Sequence, residues 1–464
     1  MEVNRCQFWL PNKRRFCANA PLNHSMFCGN HNPTTEQLRI PCPIDPSHSI
    51  LKENMDAHIK RCPFEKQNQE LKTQPFYKKG VNGGGREDPE SLMGGEVGSA
   101  HCGEKTCIIT SDMKRDMIYK LGVLEFLELV GKIESIHKSL CSFIKDSYVM
   151  PEACEGWLAS QIDRKLPIQE KHAQQQASIL GNMESFGILQ RPAAATRPDF
   201  SAVDSSGGQK TCPPAVIEFG AGRGYLTQML ADYYGIRKVV LVERKSYRLK
   251  ADRSLRQKES LSLERLRIDI EDLNLNAVES LRGRPCLAIG KHICGPATDL
   301  TLRCCLPGKN NEEADHLCPP FSLQGLAIAT CCHHLCQWKN YLNKNFLSEY
   351  GLTKEDFHAM TWFTSWAVDG DHSSAVSDAA NQETNPRTIL DKEPVKAIAG
   401  TVEEIIKKME VVDRATLGFM CKDIIDMGRL MWMKEEHNLE AQLVKYVPSS
   451  ISPENHLLIA KSRS

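Results

Sequence analysis

Five of the chain's 19 cysteines fall within its first 62 residues, interleaved with four histidines. Thiolates and imidazoles at that density are zinc ligands by chemistry. Cys6, Cys17, Cys28 and His31 form one set: ten residues separate each of the first three, and two separate the last pair. Three thiolates and an imidazole complete a tetrahedral shell, and a segment of about 30 residues cannot bury a core that folds it unaided. Cys42, His48, His58 and Cys62 form a second set, C-x5-H-x9-H-x3-C, with Pro41, Pro43 and Pro63 around it. The four-residue step from His58 to Cys62 places both on one face of a helix through 56–61, with Ile50, Leu51 and Met55 as apolar filler. Four protein donors leave no open position for water, so both sites read as structural. Lys13, Arg14 and Arg15 stand close to Phe8, Trp9 and Phe16. That combination offers charge for phosphates and rings for bases, or else a small core around zinc with a solvated face.

The second chemical signal is Glu218-Phe-Gly220-Ala-Gly222-Arg-Gly224, closing an apolar run over 215–219. Alternating glycines let a backbone approach a ligand and adopt positive φ. The spacing departs from the dinucleotide fingerprint G-x-G-x-x-G. It resembles instead the class I S-adenosylmethionine loop, which carries an acid before its glycines and underlies the cofactor's amino-acid moiety. A helix with Leu226, Met229, Leu230 and Tyr233 on one face follows, and then a second apolar run ends at Glu243. A carboxylate there accepts hydrogen bonds from ribose hydroxyls. A third strand and loop over 266–273 carry Asp269, in reach of an adenine amino group. Alone, each acid reads as a solvated strand end; in this order Glu218, Gly220, Gly222, Gly224, Glu243 and Asp269 read as cofactor contacts.

Two later runs also end in titratable residues. After 286–290 come Lys291, His292 and Asp299; after 325–330 come Cys331, Cys332, His333 and His334. In an open parallel sheet, ligands sit beyond such strand ends. Cys331 and Cys332 equally suit buried packing. A metal set of Cys332, His333, His334 and Cys336 is too cramped for one tetrahedral ion, and Cys102 and Cys107 lack partner ligands.

The elements that hold these residues follow from pattern. From 212 to 464, short β-type runs alternate with helical ones, which predicts an α/β sheet. With the glycine loop it resembles a Rossmann-like class I methyltransferase domain, which implies a closing antiparallel hairpin over 444–460. Two zinc modules, 1–35 and 38–65, precede it. A Gly-rich flexible linker spans 78–106, a helical segment 110–190 (Met113, Met117, Leu121, Leu124, Ile133, Ile136 and Leu140 at helical steps), a loose connector 191–213 and a polar insertion 368–395. The 58 Lys and Arg balance 58 Asp and Glu, but residues 1–80 hold 12 against 7. A small basic head thus precedes a mildly acidic body, which excludes a uniformly basic nucleic-acid binder. No apolar run suits a membrane span and the first residues lack a signal-peptide core, so an intracellular protein is expected, nuclear or cytoplasmic, with reduced thiols.

Taken together, the chain resembles the Trm-thirteen family of tRNA 2′-O-methyltransferases. The resemblance rests on both Cys/His sets, the run Lys171-His-Ala-Gln-Gln-Gln-Ala-Ser-Ile-Leu-Gly-Asn182, the glycine loop, the stretches 291–299 and 331–334, and Ser452-Pro-Glu-Asn455. It implies S-adenosylmethionine, two structural zinc ions, a tRNA partner, and the ribose 2′-hydroxyl of acceptor-stem nucleotide 4 as acceptor. Such an attack needs alignment, help with a weakly acidic proton, and positive charge beside the developing alkoxide. Lys291 is the first candidate for the charge, Asp299 for orienting it or taking the proton, and His334 for a competing base. An RNA base methyltransferase and an RNA-binding adaptor with an inactive fold are the alternatives. No membrane or protein partner is expected.

Overall fold

A computed structural model describes residues 5–10, 15–18, 20–21, 25–28, 39–44, 48–84, 108–155, 167–190, 214–222, 224–244, 256, 260–307, 321–369 and 400–463. His31, Lys13, Arg14, Cys102, Cys107, the connector 191–213, the side chain of His292 and most of the insertion 368–395 lie outside these. The chain divides into two compact units, 1–77 and 78–464.

The first unit is built on short pieces. β1 (Trp9–Leu10) pairs antiparallel with β2 (Arg15–Phe16), and β3 (Arg39–Pro41) pairs antiparallel with β4 (Ser49–Leu51). Two short helices follow, α1 (Met55–Ile59) and α2 (Glu65–Lys72). Among its described residues, the buried apolar ones are the five cysteines of the two Cys/His sets. The filler residues Ile50, Leu51 and Met55 are only half-buried. With so little apolar surface removed from water, metal ligation has to stabilise this unit.

The second unit opens with α3 (Ser111–Tyr119), α4 (Val123–Leu140), β5 (Lys145–Asp146) and α5 (Pro167–Ser185). Then come β6 (Ala215–Phe219), α6 (Tyr225–Tyr233), β7 (Lys238–Val242), β8 (Ser262–Leu266), β9 (Pro285–Cys294), α7 (Pro296–Cys305) and β10 (Ser322–Cys331). The chain continues through α8 (Lys344–Glu349), α9 (Lys354–Asp369), α10 (Val402–Lys408), α11 (Val411–Glu435), β11 (Leu439–Lys445) and β12 (His456–Ser462). One eight-stranded sheet results, in the order β5-β11-β12-β10-β9-β6-β7-β8. β12 runs antiparallel to both neighbours, as the expected closing hairpin requires, and every other pairing is parallel. β6 is buried at every position and β7 at all but its first, because helices cover both faces of a parallel sheet. On one side, Ile179, Leu180 and Met183 of α5 and Leu226, Met229 and Leu230 of α6 share a core with the strands.

Three expectations need correction. Residues 110–190 are not a separate helical segment. β5 extends the sheet beside β11, Ser178 of α5 donates to the Tyr446 carbonyl, and α4 packs along α11. The start of the supposed linker is anchored rather than loose: the backbone of Lys78 bonds to Asp272, and the Asn82 side chain donates to the carbonyls of Ile270 and Leu273 at 2.6 and 2.8 Å. The apolar stripe of the first helices is also turned. Met113 and Leu124 are exposed, whereas Lys114 is buried, its ammonium 2.9 Å from each of the carbonyls of His334 and Cys336. Two carbonyl acceptors outweigh apolar periodicity at that position.

Candidate active site

β6 lies between β9 and β7, and the chain leaves β6 toward β7 but returns on its other side at β9. The crevice past the carboxyl ends of β6 and β9 is therefore the topological switch point, where open α/β sheets bind ligands. Phe219 is in register with Gly290, so the glycine loop starts alongside Lys291.

Gly220, Gly222 and Gly224 all have positive φ, at 59°, 47° and 70°. Side chains with a Cβ rarely tolerate that region. A Cβ placed on Gly222 meets nothing nearer than the Gly220 carbonyl at 3.8 Å, so the loop borders open space rather than packed protein. This suits a loop that underlies a cofactor. Glu243, at the end of β7, accepts from the Gly222 amide at 3.2 Å and ties the second strand to the loop. Glu218 is buried, and its carboxylate accepts from both the hydroxyl and the amide of Thr227, at the start of α6. It thus shapes the loop from beneath. Asp269 stands three residues beyond the end of β8, which closes earlier than expected. It caps the turn Ile270–Asp272 through the Glu271 amide at 3.1 Å and pairs with Arg244 at 3.3 Å.

Lys291 lies within β9 rather than on a loop, and it is buried. Its ammonium nitrogen stands 3.1 Å from His172 Nδ1 and 3.4 Å from the His172 carbonyl, on α5. Burial lowers the Lys291 pKa to about 7, with Cys331 and Glu218 opposing the shift. Burial and the neighbouring Lys291 also lower that of His172, whose ring accepts the role of a cover over the amine. No spacing rule links residues 119 apart, and the only sequence signal for His172 was its place in the run 171–182.

Asp299 is not brought to Lys291. Helix α7 starts at Pro296, and its first turn carries Asp299 into the interior. There Arg429 of α11 grips it at 2.6 and 3.2 Å, and the Leu342 amide donates to it at 3.3 Å. A carboxylate 1 % exposed and paired in this way anchors helices and does not collect a proton from a substrate. The pair belongs to a larger buried network. Arg429 also holds Asp426, which binds His333, His456 and Thr330 at 2.7–2.8 Å. His456 reaches Asp423, which pairs with His137, and Glu454 pairs with Lys422. Burial alone would push Asp426 upward, but His333, His456 and Arg429 hold it well below the usual carboxylate range. Of the adjacent histidines, the network takes His333 and leaves His334 half-buried in the turn after β10.

At the ends of β9 and β10 stand Cys294, Cys331 and Cys332, with Cys294 and Cys331 in register and their sulfurs 3.4 Å apart. Cys294 is exposed and the other two are half-exposed, so burial for packing does not explain them.

In the first unit, the four donors of the second Cys/His set converge. Cys42 and Cys62 Sγ are 3.8 Å apart, His48 and His58 Nε2 3.0 Å, His58 Nε2 and Cys42 Sγ 3.3 Å, and Cys62 Sγ and His48 Nε2 3.7 Å. Two thiolates and two imidazoles facing one point fit a zinc ion with no open position. Cys6, Cys17 and Cys28 also converge, with Cys17 and Cys28 Sγ 4.0 Å apart. Phe8, Trp9 and Phe16 are not a zinc core, being 38 %, 48 % and 57 % exposed; Phe27 packs against the first cysteine set and Phe64 against His48 instead.

The profile of a family described as Methyltransferase TRM13 matches residues 174–461. It begins inside α5, in agreement with the joining of that helix to the sheet. A CCCH zinc finger in TRM13 protein matches 4–32, a span that includes His31, and a U11-48K-like CHHC zinc finger matches 39–63. Among relatives, the rice tRNA:m(4)X modification enzyme TRM13 is 49% identical over 253 residues, 53% of this chain and 91% of that one. The mouse homolog is 28% identical across 98% of this chain and 94% of its own. The Saccharomyces cerevisiae enzyme is 25% identical across 97% and 94%.

Proposed function

The chain belongs to the TRM13 methyltransferase family, and on that premise we propose that it methylates tRNA on the ribose 2′-hydroxyl of nucleotide 4 in the acceptor stem. The observation that carries this reading is a buried amine, Lys291, beside a glycine loop at the switch point of the sheet. S-adenosylmethionine bound over that loop supplies an electrophilic methyl. Gly220, Gly222 and Gly224 let the backbone approach it, and Glu243 stands where ribose hydroxyls would be accepted. A sugar hydroxyl must lose its proton as it attacks, and an amine with a pKa of about 7 is matched to accept it at neutral pH. Lys291 is then both the acceptor of the proton and, once protonated, the positive charge beside the new ether oxygen. His172 positions it and keeps bulk water off. Asp299 has no part in the proton transfer.

The head supplies the grip on RNA. Phe8, Trp9 and Phe16 present exposed ring surface next to Arg15, which suits stacking on bases and pairing with phosphate. Reduced thiolates suit the nucleus or cytoplasm, which supports an intracellular location. The adaptor reading is not favoured, because the glycine loop and Lys291 keep the geometry that chemistry needs.

The deciding experiment is incubation of the chain with tRNA and methyl-labelled S-adenosylmethionine, followed by nucleoside mapping. The expected product is a 2′-O-methylated nucleotide at position 4. Label on a base, on the protein or nowhere excludes the proposal.

A further inference from the structure

We propose that Cys294, Cys331 and Cys332 form a third metal site, for a thiophilic divalent cation of the zinc class, at the carboxyl ends of β9 and β10. The three sulfurs lie within 4.8 Å of one another. Zinc–sulfur bonds of about 2.3 Å set the edge of a thiolate tetrahedron at about 3.8 Å. The same chain supplies its own calibration, with 3.8 Å between Cys42 and Cys62 and 4.0 Å between Cys17 and Cys28. Cys294 and Cys331, at 3.4 Å, need to open by only a few tenths of an ångström.

Backbone conformation points the same way. Cys332 has φ 51°, one of two non-glycine residues with positive φ among those described. A left-handed cysteine is strained, because its Cβ crowds the backbone carbonyl. That conformation brings the thiol of the residue after β10 back to the pair at the strand ends, where an extended backbone would carry it away. Exposure also separates the trio from the other described cysteines. Cys141, Cys286, Cys304, Cys305 and Cys421 are all buried, the usual state of a thiol that packs as a small hydrophobe. Cys294, by contrast, is open to solvent, so an ion has a way in. The other convergent set, His333, Asp426 and His456, is already neutralised by Arg429 and has no such route.

Three protein donors leave one corner of the tetrahedron, so this ion would keep one exchangeable oxygen ligand, unlike the closed CHHC site in the head. Cys294 ends the strand that carries Lys291, three residues away, which puts that corner close to the methyl-transfer crevice. The metal claim itself does not depend on which RNA atom is methylated.

The test uses the full-length chain, reduced, loaded with zinc and desalted. Metal analysis is expected to give about three zinc ions per chain, and the double variant C294S/C331S about one fewer. Retained S-adenosylmethionine binding reports that the variant is folded. A second measurement needs no variant: zinc should protect Cys294, Cys331 and Cys332 of the unaltered chain from iodoacetamide, read residue by residue by mass spectrometry, and a chelator should expose them. Equal zinc content in chain and variant, with the three thiols alkylated at the same rate with and without zinc, overturns the site. So does a Cys294–Cys331 disulfide in protein prepared in this way.

Discussion

In the proposed reaction the chemistry turns on the Lys291 amine, and two outcomes follow from its burial. Removing it as Lys291→Ala should slow methyl transfer by about 100- to 10,000-fold while S-adenosylmethionine binding persists, measured by single-turnover rates and calorimetry. An unchanged rate would end its role. The amine acts when neutral, and its neutral fraction grows with pH, so the rate should rise through about pH 7 and level off above it. His172→Ala uncovers the amine, relieves part of the burial that lowers its pKa, and should move that profile toward higher pH. A purely structural role for His172 would lower the rate without moving the profile. Lys291 itself was legible, since an ionisable residue after an apolar run in an α/β sequence stands near a ligand. Its partner was not, because His172 meets it only through the packing of α5.

Among the elements, α11 does most of the structural work around the site. Its Arg429 is held between Asp299 and Asp426, all three nearly inaccessible to water. Arg429→Met leaves buried Asp299 without its cation and Asp426 with only His333 and His456 to compensate it, and should destabilise the second unit by about 3–5 kcal/mol, measured by urea unfolding. Asp299→Asn should likewise cost stability, whereas a catalytic role predicts a stable protein with lost turnover. The network also sets a pH window. Asp423, Asp426 and Glu454 are held low in the fold, so their contribution exists above the ordinary values of 3.8 and 4.5 and is lost as pH falls through the depressed ones. His456 is shifted the other way: burial lowers it, but Asp423 and Asp426 raise it above 6.5 overall. Its contribution is complete below 6.5 and is lost as pH rises through the raised value. The melting temperature should therefore be highest between these limits and fall on both sides. The same helices show where periodicity misleads. Met113 and Leu124 keep a helical spacing yet face water, because the position that counts is the one where Lys114 finds two carbonyls.

For the molecule as a whole, two units with different sources of stability should come apart in experiment. Chelation of zinc should unfold residues 1–77, whose buried apolar residues among those described are the cysteines of the two sets, and leave 78–464 folded; circular dichroism with limited proteolysis reads both. Replacing Trp9 or Phe16 by Ala should weaken tRNA binding by about 1–3 kcal/mol per ring without changing S-adenosylmethionine affinity. Intact tRNA affinity after chelation would remove the head as the grip.

The sequence by itself determined what is local. Ligand spacings in the head, three alternating glycines after a buried strand, and strand-end acids at fixed intervals are all written within a few tens of residues. Backbone geometry carries each of them directly into place. Tertiary structure alone decided which distant groups meet. It gave Asp299 to Arg429 rather than to Lys291, put His172 over the amine, anchored Asn82 on the turn at 270–273, added the two-residue β5 to the sheet edge, and gathered three cysteines from two strand ends. The physical reason is that burial changes the value of a charge or a thiol, and no linear pattern records what will be buried beside it.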